Sequence, residues 1–160
     1  MIIQRAELFS DLSMEAINEI KTSMVEESHN KGTILFRQDD PADYFFTLME
    51  GRVELVVGKQ GEIDYTVSLP GEIFGLSSMV DRDCYTADAK CTAPTKVAKI
   101  KKDKLDRILE KYPRDATLFY KHLSTAIMSR LLDNYNAFLS QGTLQGVSYG
   151  TGQVAGDSEE

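Results

Sequence analysis

Between residues 33 and 100 the chain falls into short runs of β-branched and aromatic residues, each closed by residues that turn the backbone. The runs are TILF, DYFFTLME, RVELVV and DYTVSL, with two more near residues 85–91 and 96–100. The interruptions are Asp39-Asp40-Pro41, Glu50-Gly51, residues 58–61 and Pro70-Gly71. Gly, Pro and Asp at these points supply backbone conformations that a strand interior does not tolerate. Evenly spaced short strands with such turns predict an antiparallel sandwich or jelly roll.

Helical periodicity brackets this block. Ser13 is placed to cap a helix, with Glu15 in its first turn and Ala16, Ile17, Ile20 and Met24 along one face. After the last strand, DKLDRILEKY puts Leu105, Ile108 and Leu109 on one face, and Pro113 ends that helix. A long helix is then predicted over about residues 114–139. It carries one stripe at Leu123, Ile127, Leu131 and Tyr135, and another at Met128, Leu132, Tyr135 and Leu139. Two stripes make a wide apolar face. One can pack on the β core, and the other then wants a second surface, most simply the same helix of another copy. The alternative is a helix lying deep in its own groove. The expected fold is mainly β with flanking α: a jelly roll with N-terminal helices and a long C-terminal helix.

Composition narrows the function. The chain has 160 residues and a net charge of −7, a poor endowment for neutralising DNA phosphates. Two cysteines and two histidines cannot build a four-thiolate or multi-histidine metal site. Cys84 and Cys91 would stand about 24 Å apart along one extended strand, too far for a local disulfide. No run of 18 apolar residues and no leader pattern occurs, so a cytoplasmic protein is expected. Ser/His/Asp sets, a P-loop and a dinucleotide fingerprint are all missing, so no catalytic residues are expected. Five of the eleven glycines fall after residue 140, and no Lys or Arg follows Arg130. Residues 1–139 therefore read as one domain and residues 140–160 as a Gly-rich acidic tail. The basic run Lys96, Lys99, Lys101, Lys102 and Lys104 reads as a solvated strand edge, or as a docking patch for an acidic partner.

The stretch KGTILFRQDDPADYFFTLMEGRVELVV resembles the first half of a cyclic-nucleotide-binding domain, as in catabolite activator proteins, protein kinase A regulatory subunits and nucleotide-gated channels. Gly32, Ile34-Leu35, Gln38, Phe45-Phe46 and Gly51 fit the pattern, and Asp39 stands where Gly is usual. LFSDLSMEAINEI resembles the family's N-terminal helices, and VAKIKKDKLDRIL its last strand running into the next helix. The resemblance spans about residues 8–139 and implies a double-stranded β-helix jelly roll.

In that family the ligand sits at a cassette that here reads PGEIFGLSSMVDRDCYTADAK. A short helix presents backbone N–H groups to the cyclic phosphate, a Glu binds the ribose and an Arg neutralises the phosphate. Gly71 and Gly75 fit. The Glu position falls on Leu76, and the Arg position on Tyr85, followed by Thr86-Ala87. Hydrogen bonds to charged groups contribute about 1.5–3 kcal/mol each, so losing two weakens a cyclic nucleotide by roughly 10²–10⁴. The resemblance thus points to Gly75, Leu76, Ser77, Ser78, Tyr85 and Thr86 as a degenerate cassette, with Arg82 near enough to swing in. The expected function is a non-catalytic regulatory or interaction module without a resident cofactor. Two alternatives stay open: a sensor of cAMP, cGMP or another small ligand signalling through the C-terminal helix, and an assembly protein using its tail. The partner expected is a second copy or another protein. Helix-turn-helix residues do not follow Leu139, so no DNA binding is expected of this chain. Haem ligation occurs in the family through His or Cys; here His29 precedes the first expected strand and His122 lies on the long helix. Each reads as an ordinary surface or packing residue.

Overall fold

The computed structural model describes residues 6–58 and 62–140. Except for Ser140, the expected tail lies outside them. A 3-10 turn at Glu7–Phe9 leads into α1 (Met14–Ser23). The strands are β1 (Val25–His29), β2 (Ile34–Phe36), β3 (Tyr44–Glu50), β4 (Val53–Val57), β5 (Glu62–Val67), β6 (Ile73–Phe74), β7 (Asp88–Cys91) and β8 (Thr95–Lys101). A second 3-10 turn, Leu76–Met79, follows β6. Two helices close the fold, α2 (Lys102–Lys111) and α3 (Pro113–Ser140).

Among the described residues the strands make two four-stranded antiparallel sheets, β1-β8-β3-β6 and β2-β7-β4-β5. The first sheet is the middle of three layers. Phe45 and Met49 of β3 face the helices, with Ile17, Ile20, Leu105, Ile108, Phe119 and Leu123. Phe46 and Leu48 face the second sheet, with Val53, Leu55, Val67, Phe74 and Val97. A strand covered on both faces needs no polar alternation, which is why YFFTLM is almost wholly apolar. The jelly roll with flanking helices is therefore the fold expected from the pattern of runs and turns.

Three details differ from the sequence reading. VEESH was expected to lie outside the strands, but it is β1, pairing with β8 from Val25↔Lys99 to His29↔Thr95. The strand has almost no apolar alternation of its own. It is set by backbone pairing with β8, and Lys96–Glu26 and Lys99–Glu27 ion pairs at 2.7 Å each cross the seam. The lysine run consequently does not mark a sheet edge, because β8 lies between β1 and β3. The strand expected near residues 85–91 begins only at Asp88.

Ser13 and Asp115 tie the helix layer together. Ser13 caps α1 by accepting from Ala16 N–H at 3.3 Å. Its own N–H and hydroxyl donate to the two oxygens of Asp115, each at 2.7 Å. Asp115 is 7% exposed and sits in the first turn of α3, where a carboxylate is favoured by the helix dipole. Pro113 ends α2 and opens α3, where its missing N–H costs nothing.

Candidate functional site

Gly75 opens the cassette turn in a left-handed conformation, φ 72°. A side chain there would lie 3.0 Å from the Phe46 ring and from the Tyr44 carbonyl, so the position needs glycine. Ser78 turns its N–H and its hydroxyl back onto the Gly75 carbonyl, at 3.2 and 2.8 Å. Ser77 and Ser78 are buried. Thr86 is exposed.

Leu76 and Tyr85 go to separate cores. Leu76 is half-buried against the helix-side cluster. Tyr85 is 4% exposed and belongs to the cluster between the sheets. Its ring stacks on Phe36, centroids 3.8 Å apart. Its hydroxyl donates to the Tyr44 carbonyl at 2.7 Å and accepts from the Tyr44 N–H at 3.0 Å. Burial pushes its phenol up to about 12. Asp39 donates its N–H to the Tyr85 carbonyl at 3.0 Å and adopts φ 69°, the left-handed region that Asp tolerates better than most residues. That explains why glycine is dispensable there. Arg82 is exposed on the facing loop, beside Gln38, Asp39 and Thr86.

Two cavities flank this region. One, of 440 Å³, opens between the sheets and is lined by Glu27, His29, Phe36, Tyr44, Tyr85 and Lys99. Burial opposes ionisation of Glu27, but Lys99 and His29 more than offset it and hold the carboxyl below its usual range. Lys99 also lies 4.5 Å over the Tyr44 ring. His29 is thus a member of β1, not a residue preceding the strands. The other cavity, of 340 Å³, lies between α3 and the β5–β6 turn, lined by Tyr65, Leu69, Ile73, His122, Ala126 and Arg130. His122 meets the Leu8 carbonyl at 3.3 Å. The Arg130 guanidinium lies 4.4 Å over the Tyr65 ring and donates to the Ile73 carbonyl. The Tyr65 hydroxyl donates to Glu72 at 2.9 Å. Burial, then the hydrogen bond to Glu72 and its charge, raises the Tyr65 phenol above its usual range. Arg130, Tyr65 and Glu72 were not among the sequence candidates. The only hint in the sequence is that Arg130 is the last basic residue of the chain.

The candidate oligomerisation residues of α3 divide. Leu123 is 3% exposed and is spent in its own core, so it is not available to a second copy. Ile127, Met128, Leu131, Leu132 and Leu139 are exposed, between 39% and 63%. Tyr135 is half-buried. Both cysteines are free thiols, Cys84 exposed and Cys91 buried. Among the described residues no cluster of His, Cys, Asp and Glu could hold a metal ion. No helix among them is long and apolar enough to cross a membrane.

Comparison with known proteins follows the same lines. The sequence profile of the cyclic nucleotide-binding domain matches residues 26–112. A transcriptional activator protein, anr, from Pseudomonas aeruginosa is 35% identical over 86 residues, which cover 52% of this chain and 35% of that protein. The aligned part thus spans about a third of that relative. A crystal structure of a putative cyclic nucleotide-binding protein from Geobacter metallireducens superposes with a TM-score of 0.72 at 28% identity, over 80% of this chain and 94% of the other. The sensor domain of the transcriptional regulator DNR from Pseudomonas aeruginosa gives 0.68 at 26% identity, over 78% and 89%.

Proposed function

Because the chain belongs to the cyclic nucleotide-binding domain family, we propose that it is a non-catalytic regulatory module whose cassette no longer anchors cAMP or cGMP. One observation carries this reading. Tyr85, at the position where the family pattern has its phosphate-binding Arg, is buried and spends its hydroxyl on the Tyr44 backbone. A phenol held this way brings no charge to a phosphate and cannot turn toward one without orphaning two backbone groups. Leu76, at the Glu position, packs against the helix-side core and offers a ribose nothing to bond.

The regulatory role then falls to surfaces. The exposed stripe of α3 supports a homodimer formed through Ile127, Met128, Leu131, Leu132 and Leu139. The net charge of −7 favours a protein partner over DNA for this chain. Free Cys84 and Cys91 fit a reducing cytoplasm.

Calorimetric titration with cAMP and with cGMP tests the cassette reading. No heat is expected up to millimolar ligand. Saturation at micromolar ligand would overturn it and make the chain a nucleotide sensor with Tyr85 displaced.

A further inference from the structure

The long helix changes character between Leu123 and Ile127. Upstream, Phe119 and Leu123 are sealed in the helix-side core, and downstream Ile127, Met128, Leu131, Leu132 and Leu139 are exposed. Arg130 is half-buried and turns back onto the jelly roll. Its contacts with Tyr65 and Ile73 lie on different sheets. Tyr65, under the guanidinium, is on β5, the edge strand of one sheet. Ile73, whose carbonyl accepts from Arg130, is on β6, the edge strand of the other. One side chain therefore closes α3 over both sheet edges at their shared side.

The contact continues into the turn between those strands. The Tyr65 hydroxyl donates to one Glu72 oxygen at 2.9 Å. The other oxygen accepts from the N–H groups of Ser68 and Leu69 at 2.7 Å each, which fixes the turn. Ile73 precedes Phe74 and Gly75, and Gly75 sets the direction of the cassette turn. Arg130, Tyr65, Glu72 and the turn backbone thus form one uninterrupted connection between the exposed half of α3 and the start of the cassette.

We propose that Arg130 is a latch. It holds α3 against the β5–β6 side in this conformation, and a partner or ligand that displaces its guanidinium loosens the helix from both sheet edges. What that release would control rests on the reading of α3 as a docking surface. The latch itself does not. A charged hydrogen bond and a partly desolvated cation–π contact are strong enough to set local opening.

Amide hydrogen exchange on the full chain tests this, comparing wild type with Arg130→Met, Arg130→Lys, Tyr65→Leu and the Met/Leu double variant. Arg130→Met is expected to speed exchange about tenfold or more in residues 124–140 and in residues 68–74 together. Arg130→Lys should fall between, because a lysine keeps the charge but not the planar stack. Protection in α1 and α2 should not change. The double variant should be little worse than either single one. Unchanged exchange in both segments, additive single effects, or a loss spread over the whole chain would each overturn the latch. Sedimentation of the same samples separates the two readings: a wild-type chain that stays monomeric sinks the docking role of α3, while the exchange result still decides the latch.

Discussion

The Tyr85 hydroxyl closes two hydrogen bonds on one residue, with the carbonyl and the N–H of Tyr44. Tyr85→Phe keeps the stack on Phe36 and leaves both backbone groups unpaired. It should cost about 1–3 kcal/mol, measured by urea unfolding. The same phenol predicts alkaline behaviour. Its folded value of about 12 lies above the ordinary 10.0, so the neutral form is favoured in the fold. That stability is fully present below pH 10 and is lost as pH rises from 10 to 12, by roughly 2–3 kcal/mol. Wild type should therefore lose more stability than Tyr85→Phe across that window, and parallel curves would refute the assignment. Thr47 makes the opposite case. Its side-chain oxygen is buried without a hydrogen-bond partner on a fully covered strand. Thr47→Val should stabilise the protein by about 1 kcal/mol, read as a higher unfolding midpoint. The sequence singled out Tyr85 by its place in the cassette. Its partner, the Tyr44 backbone, lies 41 residues earlier and leaves no trace in the local pattern.

Between elements, the firmest polar joint is Ser13 with Asp115. The cap of α1 was legible from Ser13 and Glu15, because capping is a local property. The clamp was not, since Asp115 lies 102 residues away. Asp115→Ala removes the acceptor of two bonds and should cost about 2–3 kcal/mol by thermal or urea unfolding. Ser13→Ala should cost about 1–2 kcal/mol. The double variant should be less than additive, because both changes break one joint. Full additivity would mean that the two residues act separately. β1 teaches the same lesson for strands. VEESH has no strand signature of its own, and it becomes a strand by pairing along the whole of its length with β8, where Lys96–Glu26 and Lys99–Glu27 ion pairs cross the seam.

At the scale of the whole molecule, the proposed homodimer rests on α3. Replacing both Leu131 and Leu132 by Glu puts charge in the middle of the exposed stripe. It should weaken the proposed homodimer about a hundredfold or more without unfolding the jelly roll. Sedimentation equilibrium reads the first effect and circular dichroism the second. A wild type already monomeric at high concentration would remove the dimer from the account. The stripe was readable from its spacing, and the residues that remain outward were not. Leu123 lies on the same stripe as Ile127, yet Phe9, Phe45 and Phe119 share its cluster and close over it, while Ile127 stands beyond them.

The sequence by itself determined the order of elements, the jelly roll and the helix faces. Each depends on period and turn chemistry within a few neighbouring residues, and those are written directly in the chain. Only the tertiary structure decided which candidates meet. It sent Leu76 and Tyr85 to different cores, gave β1 its partner, sealed Leu123 and brought Arg130 over Tyr65. These outcomes depend on residues tens of positions apart sharing one packed interior, where the choice is made by the space and charge already supplied by the rest of the fold.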